Sequence, residues 1–480
     1  MSSIKKNFTY SLILTVSGYV FTFIIFPYVS RVLGVENIGA INFVDSIINY
    51  FVILSMMGVG ILGIREIATY KNQKEELENV FRDIFFTNGL ITLFFIIILV
   101  GCIFLVPKFE NYKLLLSIGI VKLFFNFTLV EWFFTGTENF KFVTIRSLII
   151  KFLYVIAVLV FVKKSEDLYI YYFLTSLVVV VNAIFNWSYL LKIIKIKIKG
   201  LNIKRYYKPI FTLGLYMILT SLYTNFNIVY LGFTSGDKEV GYYTTASKLY
   251  GILLSVFTAF TGVMLPRMST LLSENKIDEF KENLTKSFNL LFIFSFPITI
   301  WGIVFAPQII YIIAGKGFEG AITPMRIIMP LMILIGYAQI LVIQILMPLK
   351  KDRIILINSL VGAIFGIILN ILFVNQLKSI GSAIVWFICE LVLVILSQYY
   401  ISKIIKIYFP FKVLYKELLV SIPILFLCIF YSEYYNINPL VDIIIGCLSI
   451  FIYYLFINIK IFKNQMIINL IKTIIIKIKK

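Results

Sequence analysis

Ionisable side chains within long apolar runs are the residues of this sequence that could do chemistry. Arg146 and Lys151 lie in the run 142–162, and Lys122 and Lys248 lie in two other runs of similar length. If these runs cross a membrane, each charge near a midplane costs about 2.5–3.5 kcal/mol unless it faces an aqueous cavity. Buried cations of this kind predict a cavity that binds an anionic cargo.

The candidate site residues include charges of both signs. We predict substrate binding by five cations: Arg146, Lys151, Lys248, Lys122 and Arg31. We predict gating or coupling roles for Asp45, Glu131, Arg65 and Arg267. Alternatives remain open, since Lys122 could pair with Glu131, Asp45 could form a gate pair with Lys248, and Arg31 could simply extend to the membrane surface. Glu390 and Asp442 are expected to make structural hydrogen bonds.

Other kinds of chemistry find little support in the sequence. The chain has no histidine, which excludes Ser-His and Cys-His catalytic sites and most zinc sites. The four cysteines are scattered through apolar runs and suggest neither disulfides nor a metal site. The glycine-rich segments 236–241 and 315–320 lack the spacing of a phosphate-binding loop. We therefore expect no enzyme activity, no cofactor and no metal.

The elements that must position these charges are membrane-spanning helices. The sequence is 60% hydrophobic and 14% charged, far from the roughly 45–50% and 25% of soluble domains. A span needs about 17–25 apolar residues, and this criterion predicts an all-α membrane protein with about fourteen spans. They are 10–30, 39–63, 82–106, 112–136, 142–162, 168–191, 208–233, 241–266, 286–313, 322–348, 354–376, 379–402, 413–432 and 439–459. Because Ser2–Asn7 leads directly into a run of full length, we expect the first helix to be retained.

An internal duplication organises these helices. The segment 27–68 recurs about 202 residues later, where Tyr28, Gly34, Gly39, Arg65 and Lys74 correspond to Tyr230, Gly236, Gly241, Arg267 and Lys276. A second match, 145–162 against 357–374, extends the duplication to six helices. Both copies start on the same membrane face, so the sequence predicts two parallel six-helix repeats with an appended helix pair. The predicted domains are 1–191, a basic linker 192–207, 208–406, and the pair with its tail, 407–480.

The duplication also separates charges that the fold requires from charges that it does not. Arg65 recurs as Arg267, which favours a structural role as an inner-end anchor or an inter-helix contact. The other charges have neutral counterparts: Arg146 pairs with Asn358, Lys151 with Ala363, Lys248 with Ser46, and Asp45 with Ser247. A charge that one copy lacks is better explained by the cargo than by the architecture.

The distribution of basic residues predicts the topology. Most of the 44 Lys and Arg residues lie in loops on one side, and the positive-inside rule places those loops and both termini in the cytoplasm. The basic segment Lys192–Lys208 is expected to lie on the anionic inner leaflet. The tail from Lys460 is expected to be an interfacial amphipathic segment. These placements account for the net charge of +20 without nucleic acid.

Three segments resemble a known family: PYVSRVLGVENIGAINF at 27–43, YFVILSMMGVGILGIREIA at 50–68, and EWFFTGTENFKFVTIRSLIIKF at 131–152. They are similar to the polysaccharide-transport flippases that move O-antigen or capsule repeat units, within the multidrug, oligosaccharidyl-lipid and polysaccharide exporter superfamily. The resemblance covers the whole topology and about the first 165 residues in motif. It implies a MATE-like fold and transport of undecaprenyl-diphosphate-linked glycan across a bacterial plasma membrane by alternating access. A polysaccharide polymerase is a further expected partner.

Three alternatives remain open. A cation-coupled multidrug exporter has the same architecture, but it predicts a cavity dominated by carboxylates and aromatic rings. A lipid II flippase of the same superfamily would carry a related cargo. A membrane glycan polymerase is less consistent with the sequence, because it usually needs a substantial catalytic loop and every predicted outer loop is short.

Overall fold

The computed structural model describes residues 3–196, 200–434 and 438–461. These residues form helices and connecting loops without a strand, which confirms the all-α prediction. The tail after residue 461 lies outside the described residues, so its amphipathic character stays a prediction. Nine of the described helices are long and apolar enough to cross a membrane, or eleven when each of two bent helix pairs counts as one span.

The described residues contain seventeen α-helices. They are α1 (Ser3–Met56), α2 (Val59–Tyr70), α3 (Lys74–Leu105), α4 (Lys113–Thr128), α5 (Glu131–Gly136), α6 (Phe140–Phe161), α7 (Leu168–Ile193), α8 (Lys204–Thr224), α9 (Phe226–Ser235), α10 (Asp237–Ser273), α11 (Ile277–Val304), α12 (Ala306–Ile313), α13 (Ile322–Ile328), α14 (Leu331–Gln339), α15 (Asp352–Ile405), α16 (Phe411–Tyr434) and α17 (Pro439–Phe456). Short 3₁₀ turns occupy Pro107–Tyr112, Ser165–Asp167 and Glu319–Ala321, and π-helical turns occupy Ile340–Leu346 and Ile457–Ile461.

Two helices have 54 residues: α15 contains two predicted spans, and α1 contains one predicted span and most of the next, 39–63. Each is broken at one residue with non-helical angles, Gly34 in α1 and Lys378 in α15. Counting the parts of both helices separately raises the number of spans, but the predicted total of fourteen also requires α8 and α9 to form one broken span. That total therefore stays a prediction.

Hydrogen bonds show that the chain reverses direction at Gly34. Before the break, α1 runs parallel to α6, since Thr144 donates to the Tyr10 carbonyl at 3.0 Å and Tyr28 donates to the Val162 carbonyl at 2.7 Å, both 134 residues apart. After the break, α1 runs parallel to α7, since Asn37 donates to the Ser165 carbonyl at 2.9 Å and Tyr172 donates to Asp45 at 3.3 Å. The glycine permits this turn because its φ is +77°, a conformation that costs other residues free energy.

The duplicated glycines have two distinct roles. Gly236 also has a positive φ, +86°, and so repeats the turn at Gly34. Gly39 and Gly241 instead allow the two turns to touch. A Cβ atom on Gly39 would lie 1.7 Å from the Asp237 carbonyl oxygen, and one on Gly241 would lie 2.3 Å from that of Val35. Because residues 35 and 237 are themselves equivalent in the duplication, this reciprocal contact supports the two-repeat prediction.

The chain divides into two compact units. Unit 1 comprises Met1–Lys248, Ala314–Gly320 and Leu356–Cys389, and unit 2 comprises Leu249–Ile313, Ala321–Ile355 and Glu390–Lys480. One core cluster of unit 1 combines Phe81 and Trp132, which stack at 5.3 Å, with Tyr206 and Ile210 from the start of α8. The predicted domain boundaries follow the sequence repeat rather than these units, and they stay a prediction.

Candidate functional site

Two of the predicted cations share one cavity of unit 1. Lys151 on α6 and Lys248 on α10 both line a cavity of about 240 Å³. The other lining residues are aromatic, hydroxylic or aliphatic: Gly18, Phe21, Thr22, Ile25, Phe26, Tyr154, Tyr171, Thr175 and Val178. A mostly apolar cavity with a few convergent polar groups is the usual form of a small-molecule site. The arrangement suits an anionic group with nonpolar or hydroxyl-bearing neighbours.

The two cavity lysines bind neutral partners. Lys151 donates to the Ser17 hydroxyl at 3.2 Å, and Lys248 donates to the side-chain oxygen of Asn42 at 2.8 Å. The Lys248 ammonium also lies 5.3 Å from the centre of the Phe26 ring, within the range of a cation–π interaction. Among the described residues, neither lysine forms an ion pair. Both charges are therefore available to an anion in the cavity.

Two more of the predicted cations, Arg146 and Lys122, have carboxylate partners. Arg146 on α6 is buried and donates to Glu131 at 2.8 Å, while the carboxylate of Glu131 is about half exposed. Val130 directly precedes α5 and has a left-handed backbone conformation, with φ of +43°. This conformation sets the direction in which α5 starts and so directs Glu131 toward α6. Neither residue of this pair lines the cavity.

Lys122 on α4 forms its ion pair with Asp45 on α1. The close approach of the two helices has a clear cause, since a Cβ atom on Gly119 would lie 2.5 Å from Ile48. Asp45 also accepts the hydrogen bond of Tyr172. The structure therefore contradicts two pairings that the sequence had left open. Lys122 does not pair with Glu131, and Asp45 does not pair with Lys248.

The three remaining predicted arginines are exposed. Arg31 donates to the Pro27 carbonyl at 2.6 Å and packs beside Gly315. The Arg65 side chain is 66% exposed and forms an ion pair with its neighbour Glu66 at 3.3 Å. Arg267 is exposed as well. These positions fit anchors at helix ends better than contacts between helices.

Two carboxylates outside the predicted site were expected to make structural hydrogen bonds. Glu390 and Asp442 are both buried in unit 2. Asp442 accepts a hydrogen bond from Tyr431 at 3.1 Å. This bond agrees with the hydrogen-bonding role expected for Asp442.

Arg82 and Asp83 form a buried ion pair that the sequence did not reveal. Both side chains are buried at the start of α3 and form an ion pair at 2.9 Å. Arg82 also donates to Asn79 at 3.0 Å and to the Gly200 carbonyl at 2.8 Å, and Asp83 accepts from the backbone N–H of Asn202 at 3.2 Å. This linker clamp fixes the basic segment between the two repeats to α3. The sequence signal that could have revealed this pair is the two opposite charges at the start of the predicted span 82–106.

Comparison with known proteins identifies the family. The family model described as "Polysaccharide biosynthesis protein" matches residues 4–272, more than half of the chain. A second model, MatE, matches residues 209–372. The chain is 24% identical over 389 residues to the "Putative O-antigen transporter" of Escherichia coli (strain K12), covering 80% of this chain and 92% of that protein.

Solved structures show the same fold. The lipid II flippase MurJ in an inward closed conformation matches with a TM-score of 0.70 and 20% identity, covering 91% of this chain and 98% of MurJ. An inward-facing multidrug resistance MATE family transporter of the MOP superfamily matches with a TM-score of 0.63 and 16% identity, covering 83% of this chain and 95% of that transporter. The chain is therefore a multi-pass membrane protein with the fold of these transporters, and it belongs to the polysaccharide biosynthesis protein family.

Proposed function

We propose that the protein is a flippase that moves oligosaccharide repeat units linked to undecaprenyl diphosphate from the inner to the outer leaflet. The family, the O-antigen transporters among the relatives and the flippase fold support the transport of a lipid-linked polysaccharide. In this proposal the protein lies in a bacterial plasma membrane with both termini in the cytoplasm. It acts as a transporter and not as an enzyme.

The observation on which the substrate assignment rests is the pair of lysines in the cavity. A diphosphate that links a sugar to a lipid has one ionised oxygen on each phosphate. Lys151 and Lys248 supply one cation for each, while Arg146 and Lys122 are already neutralised by Glu131 and Asp45. Charge-assisted contacts to phosphate are stronger than neutral hydrogen bonds. The two lysines of the cavity therefore match the two negative charges of the proposed diphosphate.

The wall of the cavity fits the part of the substrate next to the diphosphate. Thr22, Thr175, Tyr154 and Tyr171 offer hydroxyl groups, and Phe26 offers an aromatic face beside Lys248. Sugar rings combine hydroxyl groups with apolar C–H faces, so they suit such a surface. The lipid tail stays in the bilayer, because transfer of a long prenyl chain through a polar cavity would be unfavourable.

The proposed cycle is alternating access. The contact between Gly39 and the Asp237 carbonyl, with its counterpart at Gly241, joins the two turns at the predicted outer end. Outward release requires these turns to separate, and cytoplasmic loading requires them to meet. The two turns belong to different repeats, so a rocking motion of the repeats would open and close this contact.

A cation-coupled multidrug exporter fits the same fold, but two lysines without carboxylate partners would repel a cationic drug. Charge alone does not distinguish this cargo from lipid II, because lipid II also presents a diphosphate. Glycosyltransferase and polymerase genes beside this one would favour repeat-unit export, and cell-wall precursor genes would favour lipid II.

The test replaces each cavity lysine by its counterpart in the other repeat. Lys151→Ala and Lys248→Ser install the residues already present at Ala363 and Ser46, so insertion and folding should be preserved. Each lost charge-assisted contact is worth about 1.5–3 kcal/mol, or about ten- to hundredfold in substrate occupancy. Inner-leaflet accumulation of the lipid-linked repeat unit, normalised to membrane protein, should rise accordingly.

Lys113→Ala is the matched control, since Lys113 is an exposed lysine that pairs with Glu110 outside the cavity. It should flip at the wild-type rate. Lys151→Arg should retain part of the activity because the charge remains. Wild-type flipping by the Lys151→Ala, Lys248→Ser double variant would refute the assignment of the diphosphate to this cavity.

A further inference from the structure

One buried carboxylate has no part in the proposed flipping site. Glu417 lies on α16 of unit 2, and the residue is 1% exposed. Its Oε2 atom has no hydrogen-bond partner among the described residues. An ionisable group inside an apolar span is costly and is by default a functional candidate. The comparison of the two repeats could not reveal it, because α16 belongs to the appended helix pair.

A second unpartnered oxygen belongs to Asn458, in the π-helical turn that follows α17. Asn458 is 0% exposed. Its Nδ2 donates to the Tyr454 carbonyl at 3.0 Å, but its Oδ1 has no partner among the described residues. Buried polar atoms are almost always paired, so each exception needs an explanation. Single π-helical turns occur often at functional sites.

The register of the helix pair places these two residues in the same layer. Two side-chain contacts fix this register: Ser421 with Tyr454 at 2.5 Å, and Tyr431 with Asp442 at 3.1 Å. They show that α16 and α17 are antiparallel. One helical turn beyond Ser421 and Tyr454, the same register places Glu417 opposite Asn458.

We propose that Glu417 is a proton-binding site of the appended helix pair. An ionised carboxylate and an amide oxygen are both acceptors and cannot bind each other. When Glu417 binds a proton, its carboxylic O–H donates to Oδ1 of Asn458, and one proton satisfies both buried oxygens. Release breaks the O–H bond, sends the proton to water and leaves two facing acceptors. Proton occupancy therefore controls the packing of α16 against α17.

Given the charges around Glu417, a bound proton is the main way to offset the cost of burying its carboxylate. On its own helix the neighbouring cation is Lys416, and on α17 the nearest titratable group is Tyr454. The helix α11 also packs against α16. Its charged residues are all exposed at its start: Asp278, Glu279, Lys281, Glu282 and Lys286. Asp442 lies at the far end of α17, and Lys460 is exposed.

Infrared spectroscopy of the full-length protein in lipid nanodiscs tests the site without a transport assay. At neutral pH we expect the carbonyl band of one protonated carboxyl group, and Glu417→Gln should remove it. Glu433→Gln is the matched control, because it removes an exposed carboxylate from the other end of α16 and should leave the band unchanged. In Asn458→Leu, which lacks the acceptor, the band should disappear at a lower pH than in the wild type.

Thermal melting tests the effect on packing. The wild type should melt at a lower temperature at alkaline pH than at neutral pH, and Glu417→Gln, whose amide can still donate to Asn458, should abolish this difference. Absence of the band in the wild type, or its persistence in Glu417→Gln, would overturn the proposal. A band that falls with added sodium at constant pH would also overturn it, in favour of a cation site. None of these readouts depends on the flipping site.

Discussion

The linker clamp gives the sharpest prediction for folding. Asp83→Asn keeps the shape of the side chain but leaves the Arg82 guanidinium, 6% exposed, without its carboxylate. Removal of one partner from a buried ion pair typically costs about 3–5 kcal/mol, because the remaining charge is uncompensated. Native proteins are stable by only about 5–15 kcal/mol. We therefore expect a large loss of folded protein.

Two other contacts of Arg82 bear on the size of the effect. Its bonds to Asn79 and to the Gly200 carbonyl, at 3.0 and 2.8 Å, persist in Asp83→Asn. They satisfy N–H groups but do not neutralise the charge, so the cost should fall at the lower end of the range. The double variant Arg82→Met, Asp83→Leu removes both charges and should recover most of the stability, since apolar replacement of a buried pair is often neutral.

The assay is the yield of monodisperse protein and its thermal melting in detergent. Glu66→Gln is the control, because it breaks the ion pair of the largely exposed Arg65 and should cost at most about 1 kcal/mol. Equal stability of Asp83→Asn and Glu66→Gln would refute the reasoning. So would a double variant as unstable as the single one, since the penalty would then come from lost contacts and not from an unpaired charge.

Three further predictions concern the turns, the topology and the exposed arginines. Gly39→Ala should destabilise the protein by about 1–3 kcal/mol or more by overpacking against Asp237, whereas Gly101→Ala, where a Cβ atom meets nothing within 4 Å, should be neutral in thermal melting. Reporter fusions should place both termini and the segment 192–207 in the cytoplasm, and an outward linker would contradict the topology. Arg65→Gln and Arg267→Gln should each change stability by no more than about 0.5 kcal/mol and leave flipping intact, as measured by yield and substrate accumulation; loss of flipping at normal yield would restore their gating role.

The sequence predicted those features that depend on local backbone and on the duplication. The positive φ of Gly34 and Gly236 follows from their place in two equivalent turns. Lys151 and Lys248 belong to different repeats, have neutral counterparts and line the same cavity, whereas Arg146, which also has a neutral counterpart, lies outside it. Both predictions needed only the comparison of one half of the chain with the other.

The ion pairs could not be predicted because they depend on helix rotation and depth. The apolar residues around Lys122 are so uniform that no polar face identifies its neighbour. Its pairing with Asp45 depends on the close contact at Gly119, which only the folded helices reveal. Arg82 was missed for a related reason, since one of its partners is the backbone carbonyl of Gly200, 118 residues away. A backbone acceptor leaves no residue type in the sequence to detect.

The two repeats use different polar groups at their helix contacts. In the second repeat, buried Asn370 donates to Asn227 at 2.6 Å, and Asn227 contacts the Tyr243 hydroxyl at 3.4 Å. Neutral amides hold these helices together without the desolvation cost of a charge. The first repeat could have used the same solution, yet it contains Lys151 at a position where the second has buried Ala363. This cation, at a position where the second repeat has alanine, is one basis on which we propose an anionic substrate.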